Sequence, residues 1–215
     1  MEIKAERNEY LIAVFKFEEA KKKVTNKALS QSLKLSPSSV TEMVKKLKAD
    51  GMLKKSRSIE LSQEGRAFAK DLISRHRLWE YFLSEILDYS WDKVHHQAQL
   101  LQNTTEDTLF EKLNAFLEYP HTCPHGGRIY INDDRSLDYI SLADAKPGLT
   151  YTIKSFNDDK GLLKYIDQLG LKLNDSFLIT SFNDFDKAAN IELSKGESLS
   201  ISPKACGHIY LEKIE

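Results

Sequence analysis

Apolar residues near the start of the chain recur at helical spacing: Tyr10, Leu11, Val14, Phe15 and Phe17 mark one face of an amphipathic helix predicted over residues 3–19. Lys21, Lys22 and Lys23 mark the loop behind it. Thr25 then stands where an N-cap is needed for a helix running to about Leu33, with Ala28, Leu29 and Leu33 turned inward. Ser36 and Pro37 open the next helix. The serine caps it, the proline fills a first-turn position that needs no N–H, and Val40, Val44 and Leu47 form its apolar face until Gly51 stops it. About three residues separate the two helices, the spacing of a helix-turn-helix whose second helix enters the major groove. Residues 53–61 read as two short strands with Lys54, Lys55 and Arg57 near the tip, the pattern of a basic wing.

Ser62 caps a long periodic segment reaching to about Tyr89, with Phe68, Leu72, Ile73, Leu78, Trp79, Phe82, Leu83, Ile86 and Leu87 along it. Helices over 91–102 and 105–119 complete an all-helical middle region with apolar surface to spare for self-association. After Pro120 the texture changes to short alternating runs at 149–156, 177–182, 189–193, 198–201 and 208–212, which read as strands, with one helix over 161–169. The expected class is mainly α with a small β domain. A winged helix-turn-helix occupies 1–62, a helical dimerisation and metal-binding domain 63–125, a linker 126–143 and an SH3-like barrel 144–215.

The composition is that of a folded chain, 41% hydrophobic and 29% charged. No apolar run approaches the roughly 18 residues of a membrane span, and the charged opening decad is unlike a signal peptide, so the expected address is the cytoplasm, away from membranes. Two cysteines, Cys123 and Cys206, do not make a disulfide framework. The net charge of −1 hides an asymmetry: residues 1–75 hold 17 Lys and Arg against 10 Asp and Glu, and the remainder 14 against 22. A basic N-terminal part suits a polyanionic partner, although solvated helix faces can differ in charge for no such reason.

Two constellations carry chemistry. On the second helix of the helix-turn-helix, Ser36, Ser38, Ser39, Thr41, Glu42, Lys45 and Lys46 lie off the apolar stripe and can reach bases or phosphates, with Lys27 and Arg57 as further candidates. The other constellation begins with His76 and Glu80, four apart and therefore on one helix face. The segment Thr122-Cys123-Pro124-His125-Gly126-Gly127 places a thiolate and an imidazole two residues apart in a turn. A thiolate, one or two imidazoles and a carboxylate form a transition-metal ligand set. His95 and His96 diverge by ~100° on a helix, so at most one serves a given site, and His95 is the candidate ligand. No nucleotide-binding glycine motif or nucleophile signature occurs, and an enzyme reading, a zinc hydrolase or lyase, rests on the metal-like cluster alone and leaves the helix-turn-helix unexplained.

The order of parts resembles the iron- and manganese-dependent repressors of the diphtheria toxin repressor and manganese transport regulator family, in its long form. The resemblance is carried by the stretch from Thr25-Asn26-Lys27-Ala28-Leu29-Ser30 to Ser36-Pro37-Ser38-Ser39-Val40-Thr41-Glu42-Met43-Val44, by Arg75-His76-Arg77-Leu78-Trp79-Glu80, by Val94-His95, and by the Cys-Pro-His-Gly-Gly segment. Residues 157–163 resemble a metal-contacting turn of the barrel in such proteins. The resemblance implies a non-enzymatic homodimer that binds a palindromic operator in double-stranded DNA and represses genes of metal-ion homeostasis. It implies one metal site from Glu80, Cys123, His125 and Asp159, with Asp158 the competing register. A second would draw on Glu9, His76 and the positions of Gln99, Gln102 and Asn103, where the family carries two glutamates and a histidine.

Those last three residues are neutral amides here, so a dication would lose about two formal charges and an imidazole. The expectation is one retained metal site, with the amides hydrogen-bonding to Glu9 or to backbone in place of the other. The resemblance favours Mn2+ or Fe2+, whereas a Cys, His and carboxylate set intrinsically prefers Zn2+ over Mn2+. The alternative is a divergent member that binds DNA without metal, its remaining site a structural zinc or empty.

Overall fold

The structure, a computed structural model, describes residues 2–133, 135, 139–157 and 159–214. Helix α1 (Glu2–Glu19) packs on α2 (Asn26–Leu33), α3 (Pro37–Ala49) and the first half of α4 (Gln63–Tyr81). Tyr10, Leu11, Val14, Phe15, Leu29, Val40, Leu47, Leu53 and Ala69 close one core. The local signals act as the sequence predicts. Thr25 accepts a bond from Ala28 N, and Ser36 accepts from Ser39 N with Pro37 behind it. Lys34 adopts a left-handed φ of 56° to end α2. The wing differs from the two strands expected: only Leu53 and Leu61 form a bridge. Its tip spends its backbone groups locally, Ser56 N on Lys54 O at 2.9 Å and Ser56 O on Lys48 Nζ at 2.6 Å.

Ser62 caps α4 through Gly65 N, and its hydroxyl also donates to Met52 O. The helix ends earlier than the periodicity suggests. After Tyr81 it loosens into one π-helical turn, Phe82–Ile86, and Asp88 at φ 54° closes it. Helices α5 (Trp91–Gln102) and α6 (Asp107–Phe116) follow, the latter shorter than expected because Glu118 and Tyr119 both take positive φ before Pro120. Leu78, Phe110, Leu113, Leu117 and Ile129 make a second small core. Ile86, Leu87, Leu100, Leu109, Phe116 and Tyr119 are left exposed.

The C-terminal part is one antiparallel six-stranded sheet in the order β1 (Ile140–Ser141), β6 (Ile209–Lys213), β2 (Thr150–Phe156), β3 (Ser176–Phe182), β4 (Ala189–Leu193), β5 (Ser198–Ile201). Register shifts after Ile153 and after Ile179 bend it, as bulges do. Helix α7 (Lys160–Gln168) contributes Leu162, Leu163 and Ile166 to the buried cluster that also holds Ile153, Phe177 and Ile179 of the sheet. The two-residue β1 and the single turn α8 (Pro203–Cys206) are too short for a periodic signal. The expected linker over 126–143 is shorter in the structure, since Ile129 is fully buried, Tyr130 stacks edge-on against Phe15 at 5.3 Å, and Ile140 is already in the sheet.

Gly65 lies where a Cβ would run into the carbonyl of Met52, the contact that seats the wing on α4. Gly65→Ala is therefore expected to cost about 1–3 kcal/mol of stability through overpacking. Urea unfolding checks it, with Gly148→Ala unsuitable as control because its φ is 79° and Gly207→Ala suitable, its neighbourhood being open.

Candidate metal centre and nucleic-acid interface

One turn of α4 brings His76 and Glu80 onto the same face, and α5 lays His95 against them. His76 Nε2 and His95 Nδ1 each lie 3.1 Å from Glu80 Oε1 and 3.0 Å from one another. Three polar atoms thus converge on one point, where a single proton can serve only one edge of the triangle at a time. On the other side of the same carboxylate lies the Cys-Pro-His turn. Cys123 O accepts from Gly126 N, Cys123 N donates to Gly127 O, and Gly126 takes φ 76°, so the turn is a tight hairpin loop with a left-handed glycine. It holds Cys123 Sγ 4.0 Å from His125 Nδ1 and His125 Nδ1 3.8 Å from Glu80 Oε2. Glu80, Cys123 and His125 are all buried, at 0%, 2% and 0% exposure.

A carboxylate at that depth is costly unless charge is brought to it. Burial opposes ionisation of Glu80, but the neighbouring imidazoles, His76 first and then His125 and His95, outweigh it and hold the carboxyl well below its usual range. Glu80 Oε2 and His76 Nδ1 have no hydrogen-bond partner among the described residues. Two ligand groups therefore share one carboxylate: His76, Glu80 and His95, and Glu80, Cys123 and His125. The donors fit a divalent transition cation: soft thiolate, imidazole and carboxylate, with a buried oxygen lacking a donor.

The other expected members fall elsewhere. Asp159 is exposed and its carboxylate caps α7 by accepting from Leu162 N at 2.9 Å, so it belongs to neither group. Asp158 lies outside the described residues. His96 is exposed, and of the adjacent pair only His95 turns inward. The centre is nevertheless tied to the barrel, because Phe156 N donates to His125 O at 3.0 Å. A Cβ on Gly126 would collide with the carbonyl of Lys154, so only glycine lets the turn seat on β2 so closely.

Towards α1 a cavity of about 60 Å3 is bordered by Glu9, Lys16, His76, His95, Gln99 and Gln102. Gln99 Nε2 donates to Glu9 Oε1 at 2.9 Å, and Asn103 Nδ2 donates to Gln99 O at 3.0 Å. Asn8 Nδ2 donates to Asn103 Oδ1 at 3.1 Å, a partner that sequence reasoning missed although it neighbours Glu9. Gln102 Oε1 is buried without a hydrogen-bond partner among the described residues. Two amides, Gln99 and Gln102, and the Lys16 ammonium thus share this cavity with one carboxylate, Glu9, and with the imidazoles of His76 and His95.

On the helix-turn-helix, Ser36, Ser38, Ser39, Glu42, Lys45 and Lys46 are exposed together, as are Lys27 on α2 and Arg57 on the wing. The Ser36 hydroxyl lies 2.8 Å from that of Ser38 and 2.9 Å from that of Ser39, a compact cluster at the start of α3. Thr41 is committed inside the protein, donating to Pro37 O at 2.8 Å and accepting from Asn26 Nδ2 at 3.1 Å. Its lone pair braces α2 on α3, while its proton stays within the first turn of α3.

Three family models match the chain. The N-terminal DNA-binding domain of the iron dependent repressors covers residues 2–58, their metal binding and dimerisation domain 62–131, and the FeoA domain 140–213. Among solved structures, the manganese regulator SloR is 32% identical with a TM-score of 0.85, over 97% of this chain and 98% of its own. ScaR with bound Cd2+ is 31% identical with a TM-score of 0.87, over 97% and 99%. The iron-dependent repressor IdeR of Mycobacterium tuberculosis is 28% identical over 122 residues, 56% of this chain, and the match spans about half of that relative's length, 53%. No described helix is long and apolar enough to cross a membrane.

The depressed carboxyl of Glu80 sets a pH dependence. Its folded pKa lies below the ordinary ~4.3, so the stabilisation is complete above that value and is lost as pH falls through the folded value. Metal-free Glu80→Gln should show a flatter acid limb below about pH 4.5 than the wild type when urea midpoints are compared from pH 6 to 3.

Proposed function

The chain belongs to the iron-dependent repressor family, and from that premise we propose that it is a metal-dependent transcriptional repressor that binds duplex DNA as a homodimer. The carrying observation is the buried carboxylate of Glu80 set between two pairs of transition-metal donors. The exposed apolar residues at the end of α4 and on α5 and α6 supply the face for a second copy. Twofold symmetry then presents two α3 helices to the half-sites of a palindromic operator.

The working parts are mechanical. Helix α4 is shared, its first half buried in the DNA-binding core through Ala69 and Ile73 and its second half carrying His76 and Glu80. The Cys-Pro-His turn is tied to the barrel through His125 O, and α5 bears His95. A divalent cation would be held by His76, Glu80, His95, Cys123 and His125 and would supply positive charge to donors that already converge. Held together on Glu80, His95, Cys123 and His125 would fix α5, the turn and the barrel relative to α4, and so the distance between the two α3 helices of the dimer. An arrangement favoured about 100-fold in this way shifts the equilibrium by ~2.7 kcal/mol, sufficient to switch occupancy near threshold.

Support for Mn2+ or Fe2+ comes from relatives described as manganese regulators and iron-dependent repressors. The donor set itself favours Zn2+, so cellular availability selects the ion. Gel-shift titration of chelator-stripped protein on its own upstream DNA at fixed salt, with Mn2+, Fe2+ or Zn2+ added, tests the function. Binding that requires metal, and that falls at least tenfold in Cys123→Ser or Glu80→Gln, is expected. Equal binding after stripping would instead favour a DNA-binding protein uncoupled from metal.

The cavity at Glu9 is read as a site without a cation. Changing Gln99, Gln102 and Asn103 to Glu, Glu and His should raise the metal content, measured by elemental analysis after dialysis, by one ion per protomer. No gain would overturn this single-centre reading.

A further inference from the structure

A groove of about 870 Å3 runs between the loop after α1, the start of α2, the inner side of α3 and the wing. Lys21, Lys22, Lys23, Lys27, Lys48 and Arg57 border it, against two carboxylates, Glu18 and Glu60. Both acids are engaged elsewhere. Glu18 accepts from Leu61 N at 2.8 Å and pairs with Arg66, and Glu60 pairs with Lys54 at 2.9 Å. Lys48 is also committed, its Nζ donating to Ser56 O and bracing α3 to the wing.

The other five cations are exposed, and no carboxylate among the described residues lies within ion-pairing distance of them. Lys21 moreover holds φ 53°, a left-handed conformation that costs a residue with a Cβ about 1–2 kcal/mol. Lys21, Lys22 and Lys23 share the border of this concave surface with Lys27 and Arg57, like charges that repel one another, and Lys22 also borders a neighbouring cavity beside Asp159 and His208. Such a concentration of unneutralised charge suits a polyanion whose negative groups repeat along its length.

We propose that this groove seats the sugar–phosphate backbone of DNA beside the bases faced by α3, with Lys21, Lys22 and Lys23 as phosphate contacts outside the helix-turn-helix and the wing. The proposal rests on the DNA-binding reading above and extends the interface to the loop after α1. These contacts touch no base edge. They add affinity and salt dependence equally on every sequence and leave discrimination between sequences to α3.

The test compares the full chain, in the metal-supplemented state that binds best, with the variant Lys21→Gln, Lys22→Gln, Lys23→Gln. A control with the same charge change on the barrel is Lys164→Gln, Lys172→Gln, Lys195→Gln, all exposed positions. Thermal unfolding of each variant verifies that it is folded. Each phosphate neutralised contributes about 0.9 to the slope of log affinity against log salt, so six lysines in a dimer should lower that slope by roughly 5. The ratio of operator to scrambled DNA affinity should stay within about threefold of the wild type. A slope equal to that of the barrel control, with the wild type binding DNA, overturns this proposal alone, and so does a collapse of the operator ratio, which would make the lysines base readers. A wild type that binds no DNA brings down the repressor reading and this proposal together.

Discussion

A carboxylate buried to 0% exposure and still ionised is the constraint around which the rest of this molecule is arranged. Removing Glu80 from water costs several kcal/mol unless positive charge or donors return it, and here the return comes from three imidazoles on three separate chain segments. The hydrogen bonds available to them are geometrically crowded. His76 Nε2 and His95 Nδ1 stand as close to each other as each stands to Glu80 Oε1, an arrangement that protons satisfy poorly and that convergent lone pairs explain. The site therefore holds together as a protein core without metal, while keeping donors aimed at a common point.

That constraint reaches the DNA-binding end through continuous structure. Glu80 and His76 belong to the same helix as Ala69 and Ile73, which are buried with α1 and the wing, and Gly65 on that helix touches the wing backbone itself. In the other direction His125 is one peptide from Gly126, whose missing side chain lets the turn lie on β2. Movement of the turn relative to α4 is thus movement of the barrel relative to the helix-turn-helix. No long chain of intermediaries is required, because the donors themselves come from the parts that move.

Much of this was legible in the sequence, for reasons that can be named. Thr25, Ser36, Pro37 and Ser62 are local signals whose effect does not depend on the rest of the fold, and each caps the helix expected of it. The strands at 189–193 and 198–201 alternate cleanly and are found where the alternation places them. The end of α4 was not legible, since the apolar rhythm continues through a π-helical turn that changes the period without changing the composition. The wing reads as two strands because its residues suit strands, while Ser56 spends its N–H on a local turn to Lys54 O and its carbonyl on Lys48 from α3. In the centre, the i, i+4 spacing gave His76 with Glu80, and the resemblance joined Glu80 to Cys123 and His125. The approach of His95 to His76 and Glu80 depends on how α5 packs on α4, which no spacing encodes. Asp159 shows the converse: a residue suited to ligation by type is occupied by the N-terminus of its own helix.

On the proposed reading, the amides at Gln99, Gln102 and Asn103 change what the metal controls. A pair of glutamates opposite Glu9 would repel it in the absence of a cation, so α1 and α5 would approach only when metal is present. An amide reverses that sign, because it donates where a carboxylate cannot, and Gln99 holds Glu9 at 2.9 Å with no ion between them. A second bond between the same helices runs the other way, Asn8 on α1 donating to Asn103 Oδ1 at 3.1 Å. The helix that leads into the DNA-binding core is then fastened to α5 at every metal concentration, at a net worth of about 1 kcal/mol per bond, more where Glu9 is charged. Metal acts only on the Glu80 side, where α5, the Cys-Pro-His turn and the barrel meet α4. A repressor built this way needs one ion to complete its geometry rather than two, so its response to metal concentration is less steep than that of a two-site relative and its metal-free form retains part of the DNA-competent arrangement.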